Sequence, residues 1–184
     1  MAKHKQKAEL MPAIHVCALS KIQATAQAIG ARSLVTLINF KTMVQRPDAI
    51  AAERHLFLAM SDIVSPQDGH ILPDAEHVTA LLDFAKAWDR REPLLIHCFA
   101  GVSRSTAAAF IFACALEPAR AESSIAAQIR SLSPTATPNA RLVAVADAQL
   151  GRDGRMSAAI QDIGRGEDCF EGVPFALAVP VHAA

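Results

Sequence analysis

The chain has 184 residues, 52% of them hydrophobic, and its 18 Lys and Arg balance 18 Asp and Glu. That length bounds the protein to one domain with at most a short appendage. Zero net charge removes any global attraction for nucleic acid or an anionic membrane, so attraction for an anion has to be local.

Four cysteines, Cys17, Cys98, Cys114 and Cys169, show no C-x-x-C spacing. This argues against a zinc ribbon and against a disulfide scaffold. The opening residues MAKHKQKAELMPAIHVCAL are basic and then apolar, but Glu9, Pro12 and His15 interrupt the apolar run. No signal peptide is expected on that pattern, and no run reaches the length of a membrane span. The expectation is a reduced, soluble, cytoplasmic protein with no membrane span and no nucleic-acid partner.

Residues 1–12 read as a flexible basic tail. AIHVCAL (13–19) predicts a buried strand. SKIQATAQAIG (20–30) predicts a helix capped by Ser20 and stopped by Gly30. SLVTLIN (33–39) and RHLFLAM (54–60) predict further strands, with a short helix or turn at 46–53. Residues 61–74, with two prolines, a glycine and three aspartates, read as a loop. Pro73 and Asp74 open a helix through Trp88 whose apolar face is Val78, Leu81, Leu82, Ala85 and Trp88. PLLIHCF (93–99) is the most apolar strand and is expected at the sheet centre. Helices are predicted over 103–117, from Pro118 to Leu132, and from Asn139 to Leu150. After Gly151 the chain is Gly-rich and ends in an apolar segment of unassigned packing. Strands alternating with helices predict an α/β fold, with a central, mainly parallel sheet flanked by helices. The division that follows is a tail (1–12), a domain (13–150) and a C-terminal extension (151–184).

HCFAGVSRST (97–106) falls where a parallel sheet gathers ligands, at the carboxyl end of a strand. The unpaired N–H groups of a loop and helix start there favour a dianion. Gly101 provides freedom from a Cβ where a loop wraps an anion. Arg104 offers a planar fork to two phosphate oxygens. The same positive end stabilises a thiolate at Cys98. A phosphate cradle and an activated nucleophile thus arise from one loop between strand and helix.

The spacing His97-Cys98-x-x-Gly101-x-x-Arg104-Ser105 resembles the signature of cysteine-dependent protein phosphatases. HLFLAMSD, ending at Asp62, resembles the strand and acid loop of their dual-specificity branch. IRSLSPTATPNARLVAVADAQL resembles that branch's final helices, with the Pro138-Asn139 turn. The resemblance is good from about 54 to 150, weaker from 14 to 53 and absent from 151 on. It looks most like the small predicted tyrosine phosphatases of bacteria.

The resemblance implies a metal-independent, cofactor-free hydrolase of phosphomonoesters, acting on phosphotyrosine, another phosphoprotein or a small phosphorylated molecule. Cys98 would form a cysteinyl-phosphate. Arg104 and the amides of Phe99, Ala100, Gly101, Val102, Ser103 and Arg104 would hold the phosphoryl oxygens. Asp62 would be the general acid, on a strand expected beside the one that carries Cys98; Asp68 shares its loop as the alternative. Ser105 would assist the departing sulfur or serve as a plain helix-start hydroxyl, and His97 would order the loop. None of the variable loop positions 99, 100, 102 and 103 is basic, which implies a substrate less charged than inositol polyphosphates. His4, His15, His55, His70 and His77 read as ordinary polar residues, and Cys17, Cys114 and Cys169 as packing residues, one of which could protect Cys98 in a disulfide. A rhodanese-like sulfur transferase and a non-catalytic phosphate-binding module are the alternatives.

Overall fold

The computed structural model describes residues 12–180. The basic tail expected over 1–12 lies, but for Pro12, outside the described residues. Five strands form one sheet: β1 (Ala13–Ala18), β2 (Ser33–Ile38), β3 (His55–Ala59), β4 (Leu94–Cys98) and β5 (Phe175–Ala178). Their order is β3-β2-β4-β1-β5, so the apolar β4 is central as expected. All pairings are parallel except the last, in which β5 runs antiparallel along β1. One expectation fails here: β3 is not beside β4, because β2 lies between them. A residue that follows β3 therefore reaches Cys98 through its loop and not across one strand spacing.

Both sheet faces are covered, which is why β2 and β4 are buried along their whole lengths. On one face α1 (Ile22–Ile29) packs Ile22 and Ala26 over Leu34 and Leu95. Gly30 ends it in the left-handed conformation, φ 66°. Ser20 does not cap this helix. Lys21 occupies the cap position and the Ser20 hydroxyl instead donates to Glu171 at 2.8 Å. The short segment at 46–53 is a turn followed by one turn of 3-10 helix, Ala52–Arg54.

The other face carries α2 (Ala75–Ala87), α3 (Arg104–Leu116), α4 (Glu122–Leu132), α5 (Ala140–Gln149) and α6 (Arg155–Ile163). Asp74 caps α2 by accepting from the N–H groups of Glu76 and His77. The apolar α3 is buried through Cys114, with Phe110 and Phe112 among the largest fully buried side chains. The next helix starts at Glu122, not Pro118; residues 118–120 form a turn. Asn139 caps α5, its side chain accepting from Arg141 and Leu142.

The segment after 150 supplies a helix and a strand. The Asp147 carboxylate accepts from Gly154 N–H at 2.7 Å and Ser157 N–H at 2.9 Å, so a side chain of α5 satisfies the open amino end of α6. Met156, Ala159 and Ile160 bury the inner face of α6. Arg130 donates to Ile163 O and Gly164 O at its far end, where a cation suits the helix dipole. β5 then closes the sheet edge.

Candidate active site

Because β1, β2, β3 and β4 run the same way, their carboxyl ends meet along one rim. Leu19 follows β1, Asn39 follows β2, Met60 to Asp62 follow β3 and Cys98 ends β4. A cleft of about 420 Å³ opens there, lined by Asn39, Thr42, Ser61, Asp62, Ile63, His70, Phe99 and Arg104.

The loop from Cys98 to Arg104 has its carbonyls turned outward. Phe99 O accepts from Leu19 N–H at 3.0 Å, Ala100 O from Gly172 N–H at 2.8 Å, Val102 O from Thr137 N–H at 2.9 Å and Ser103 O from Asn139 N–H at 3.3 Å. In a planar trans peptide the next residue's N–H points the opposite way. The N–H groups of residues 100, 101, 103 and 104 accordingly face away from those ties, and the N–H groups of residues 100 to 104 donate to no acceptor among the described residues. Gly101 turns the loop at φ 73°, and a Cβ there would lie 2.8 Å from the backbone of Cys17. Both its conformation and the close approach require glycine.

Arg104 is 4% exposed. Its Nη1 donates to Asn39 Oδ1 at 2.6 Å and Met60 O at 2.8 Å. Its Nε is buried without a hydrogen-bond partner among the described residues and lies 4.0 Å from Asp62 Oδ2. A buried charged donor with no partner is costly, and an oxyanion between loop and guanidinium would satisfy it. Cys98 is buried, with its Sγ 3.1 Å from Ser105 Oγ.

His97 sits beneath the loop and is fully buried. Its Nδ1 lies 3.1 Å from Cys98 O, which can only accept, so Nδ1 carries the proton. The Thr36 hydroxyl then donates to His97 Nε2 at 2.7 Å and accepts from His55 Nε2 at 2.8 Å. Burial pushes the His97 imidazole down to about 4, so it is neutral in this chain of bonds. Burial likewise pushes the Cys17 and Cys114 thiols up to about 12. Cys17 lies in the core on the α1 face, whereas Cys98 points to the start of α3 through Ser105.

Asp62 lies at the cleft. Its Oδ1 accepts from Ser103 Oγ at 2.7 Å and from Asn139 Nδ2 at 2.8 Å. Asp68 is exposed and is not among the lining residues. His70 lines the cleft, with Nδ1 3.2 Å from Ser61 Oγ. Asn39, Thr42, His70, Ser103 as a side-chain donor, Asn139 and the Thr36–His55 pair extend the site beyond the residues expected of it. Asn139 was legible only as a helix start and as part of the Pro138-Asn139 turn; nothing in the local sequence marks Asn39 or Thr36. Among the described residues, no cluster of three or more His, Cys, Asp or Glu side chains could hold a metal.

No protein-family model matches the sequence, and no curated protein matches it significantly. The structure does match solved structures of phosphatases. DUSP15 superposes with a TM-score of 0.59 at 15% identity, over 88% of this chain and 97% of that one. The PTP-2 phosphatase of Cydia pomonella gives 0.58 at 18% identity, over 73% and 84%. A human tyrosine phosphatase-like serine/threonine/tyrosine-interacting protein gives 0.59 at 15% identity, over 76% and 92%. The chain has the dual-specificity phosphatase fold. One of these neighbours is described as phosphatase-like, so the chemistry has to be read from the site and not from the fold. No helix among the described residues is long and apolar enough to cross a membrane.

Proposed function

We propose that the protein is a cysteine-dependent phosphomonoester hydrolase acting on phosphotyrosine or another phosphorylated protein residue. The observation that carries this reading is the convergence at one loop of Cys98, five N–H groups and the buried Nε of Arg104, all of these donors without a partner among the described residues. These are the parts needed to hold a phosphoryl group against a nucleophile. In the first step Cys98 Sγ attacks phosphorus and the ester oxygen leaves with a proton from Asp62. Two donors occupy Asp62 Oδ1, which leaves Oδ2, on the Arg104 side, as the oxygen that carries the proton. In the second step Asp62 takes a proton from water, the water attacks phosphorus, and sulfur departs toward the Ser105 hydroxyl. Loop amides and Arg104 hold the equatorial oxygens in both steps. The cleft lining contains a single Lys or Arg side chain, Arg104, beside Asp62, Phe99, Ile63 and polar side chains. That lining suits a single phosphate on an uncharged carrier better than a polyphosphate.

Acid quench during turnover of a radiolabelled aryl phosphate tests the covalent step. The label should appear on a peptide that contains Cys98. Turnover with no labelled enzyme, using a substrate whose leaving group departs fast, would refute the covalent route.

A further inference from the structure

We propose that residues 164–172 form a positioning strap for the phosphate-binding loop, with Gly172 as its acting residue; this rests on reading that loop as the phosphate site. The starting point is the peptide between Ala100 and Gly101. Gly101 has no Cβ and stands at φ 73°, so this peptide has the least intrinsic restraint of any in the loop. The hydrogen bond from Gly172 N–H to Ala100 O, 2.8 Å, fixes its carbonyl outward. Peptide planarity then fixes the Gly101 N–H toward the anion. The other outward carbonyls are tied by Leu19, Thr137 and Asn139. Only the tie on Ala100 comes from beyond residue 150.

Space at 172 is tight, so an added Cβ would push on the loop by a few tenths of an ångström. The residue is buried, and a Cβ there would stand 3.0 Å from Gly101 O and 3.4 Å from Thr135 Oγ1. Gly166 is tighter still, its added Cβ falling 2.6 Å from Pro134 O. The strap is anchored along its length. Arg130 donates to Gly164 O. Gly166 N–H donates to Thr137 Oγ1 at 3.1 Å, and Thr137 N–H is itself the tie on Val102. Glu167 N–H donates to Pro134 O at 3.0 Å. The Glu171 carboxylate accepts from Ser20 Oγ, one residue past the Leu19 tie. β5 then locks the register against β1, Phe175 beside Val16. The segment thus touches Thr137, which ties Val102, and Ser20, which adjoins the Leu19 tie, and acts on the loop directly through one residue.

The experiment compares Gly172→Ala, Glu171→Gln and Val173→Ala with the unaltered chain. It measures kcat and KM on an aryl phosphate, competitive inhibition by inorganic phosphate, and thermal unfolding. Val173 is 71% exposed and serves as the control. Gly172→Ala should lose kcat/KM and phosphate affinity together, approaching about 10²-fold if the loop shifts by an ångström. Its unfolding midpoint should move little. Glu171→Gln should show the same pairing at smaller size, and Val173→Ala neither. A strap of purely structural value would lower the unfolding midpoint and leave phosphate inhibition as it was. Unchanged phosphate inhibition in folded Gly172→Ala and Glu171→Gln overturns the proposal. If Gly172→Ala does not fold, Glu171→Gln, which touches no loop atom, decides. An unaltered chain that neither hydrolyses the ester nor binds phosphate sinks the phosphatase reading itself, a different outcome from an active chain whose strap variants behave normally.

Discussion

The two loops that face each other across the cleft are held in place by different means. The loop of residues 98–104 is tied through its backbone: four of its carbonyls accept from three separate segments, and His97 holds a fifth from below. The loop of residues 61–74 is tied mainly through side chains at its base. Ser61 N–H donates to Ile71 O and the Ser61 hydroxyl accepts from Ile71 N–H, while Ser103 and Asn139 hold Asp62. Between those ties, residues 64–70 are all exposed. Backbone ties survive most substitutions, whereas side-chain ties depend on particular residues. The first loop suits a preorganised charge cradle, and the second suits an acid whose placement a single change can disturb.

Arg104 bridges the two loops, since its guanidinium reaches Met60 O at the root of the second. The largest losses are expected here. Cys98→Ser should abolish turnover and keep phosphate binding, because the cradle consists of amides and Arg104. Arg104→Lys should lose roughly 10³-fold in kcat/KM, since a point charge cannot serve two oxygens and Met60 at once. Steady-state kinetics with phosphate inhibition read both. Appreciable turnover by Cys98→Ser would falsify the mechanism.

Asp62→Asn comes next, with a loss of roughly 10²–10⁴-fold in kcat on an ester with a poor leaving group. The loss should shrink on a very acidic phenol, which departs without a proton. Asp68→Asn should stay near wild type on both esters, since Asp68 stands outside the cleft lining. The opposite pattern would move the acid six residues along the second loop.

The backbone-held loop has one pH-sensitive support, His97. Its folded imidazole titrates near 4, against an ordinary value of 6.5. Between those values the unfolded chain binds more protons, so stability rises with pH and is lost as pH falls from about 6.5 to about 4. At about 1.4 kcal/mol per pH unit, complete loss across that window is on the order of 3 kcal/mol. Urea unfolding at stepped pH should show the slope, and His97→Asn should flatten it. His15 and His55 are lowered too, by burial, and leave a residual slope of the same sign. An undiminished slope in His97→Asn would mean that His97 is not held neutral.

The difference between the loops also governs what the sequence reveals. The first loop is compact, so its geometry was legible in HCFAGVSRST: the strand, Gly101 and Arg104 all stand where the spacing predicts. The parallel core and the faces of α2 and α3 were legible from apolar periodicity. The order of β2 and β3 was not, because adjacency in a sheet depends on long-range pairing. Asp62 was legible as a residue following a strand, but its partners Ser103 and Asn139 stand 41 and 77 positions away. The helix α6 escaped notice because three glycines, Gly151, Gly154 and Gly164, flank a nine-residue element. Its apolar spacing at Met156, Ala159, Ile160 and Ile163 was the available signal. β5 shows as an edge strand only once β1 is in place beside it.

The smallest expected effect isolates a side-chain tie, at Asn139. This residue does two things: its Oδ1 caps α5 and its Nδ2 donates to Asp62. Asn139→Asp separates the two functions. Aspartate caps a helix as well as asparagine does, and its charge suits the amino end of α5. It has no N–H to offer Asp62, however, and sets a second carboxylate beside the first. The unfolding midpoint should therefore stay close to that of the unaltered chain. The kcat on a poor leaving group should fall about tenfold, the equivalent of one hydrogen bond of about 1.4 kcal/mol. Phosphate inhibition should not change, because Asn139 ties the first loop only through its backbone N–H, which the substitution keeps. A parallel loss of phosphate affinity would show that the two loops move together and that their separate modes of support do not matter to the chemistry.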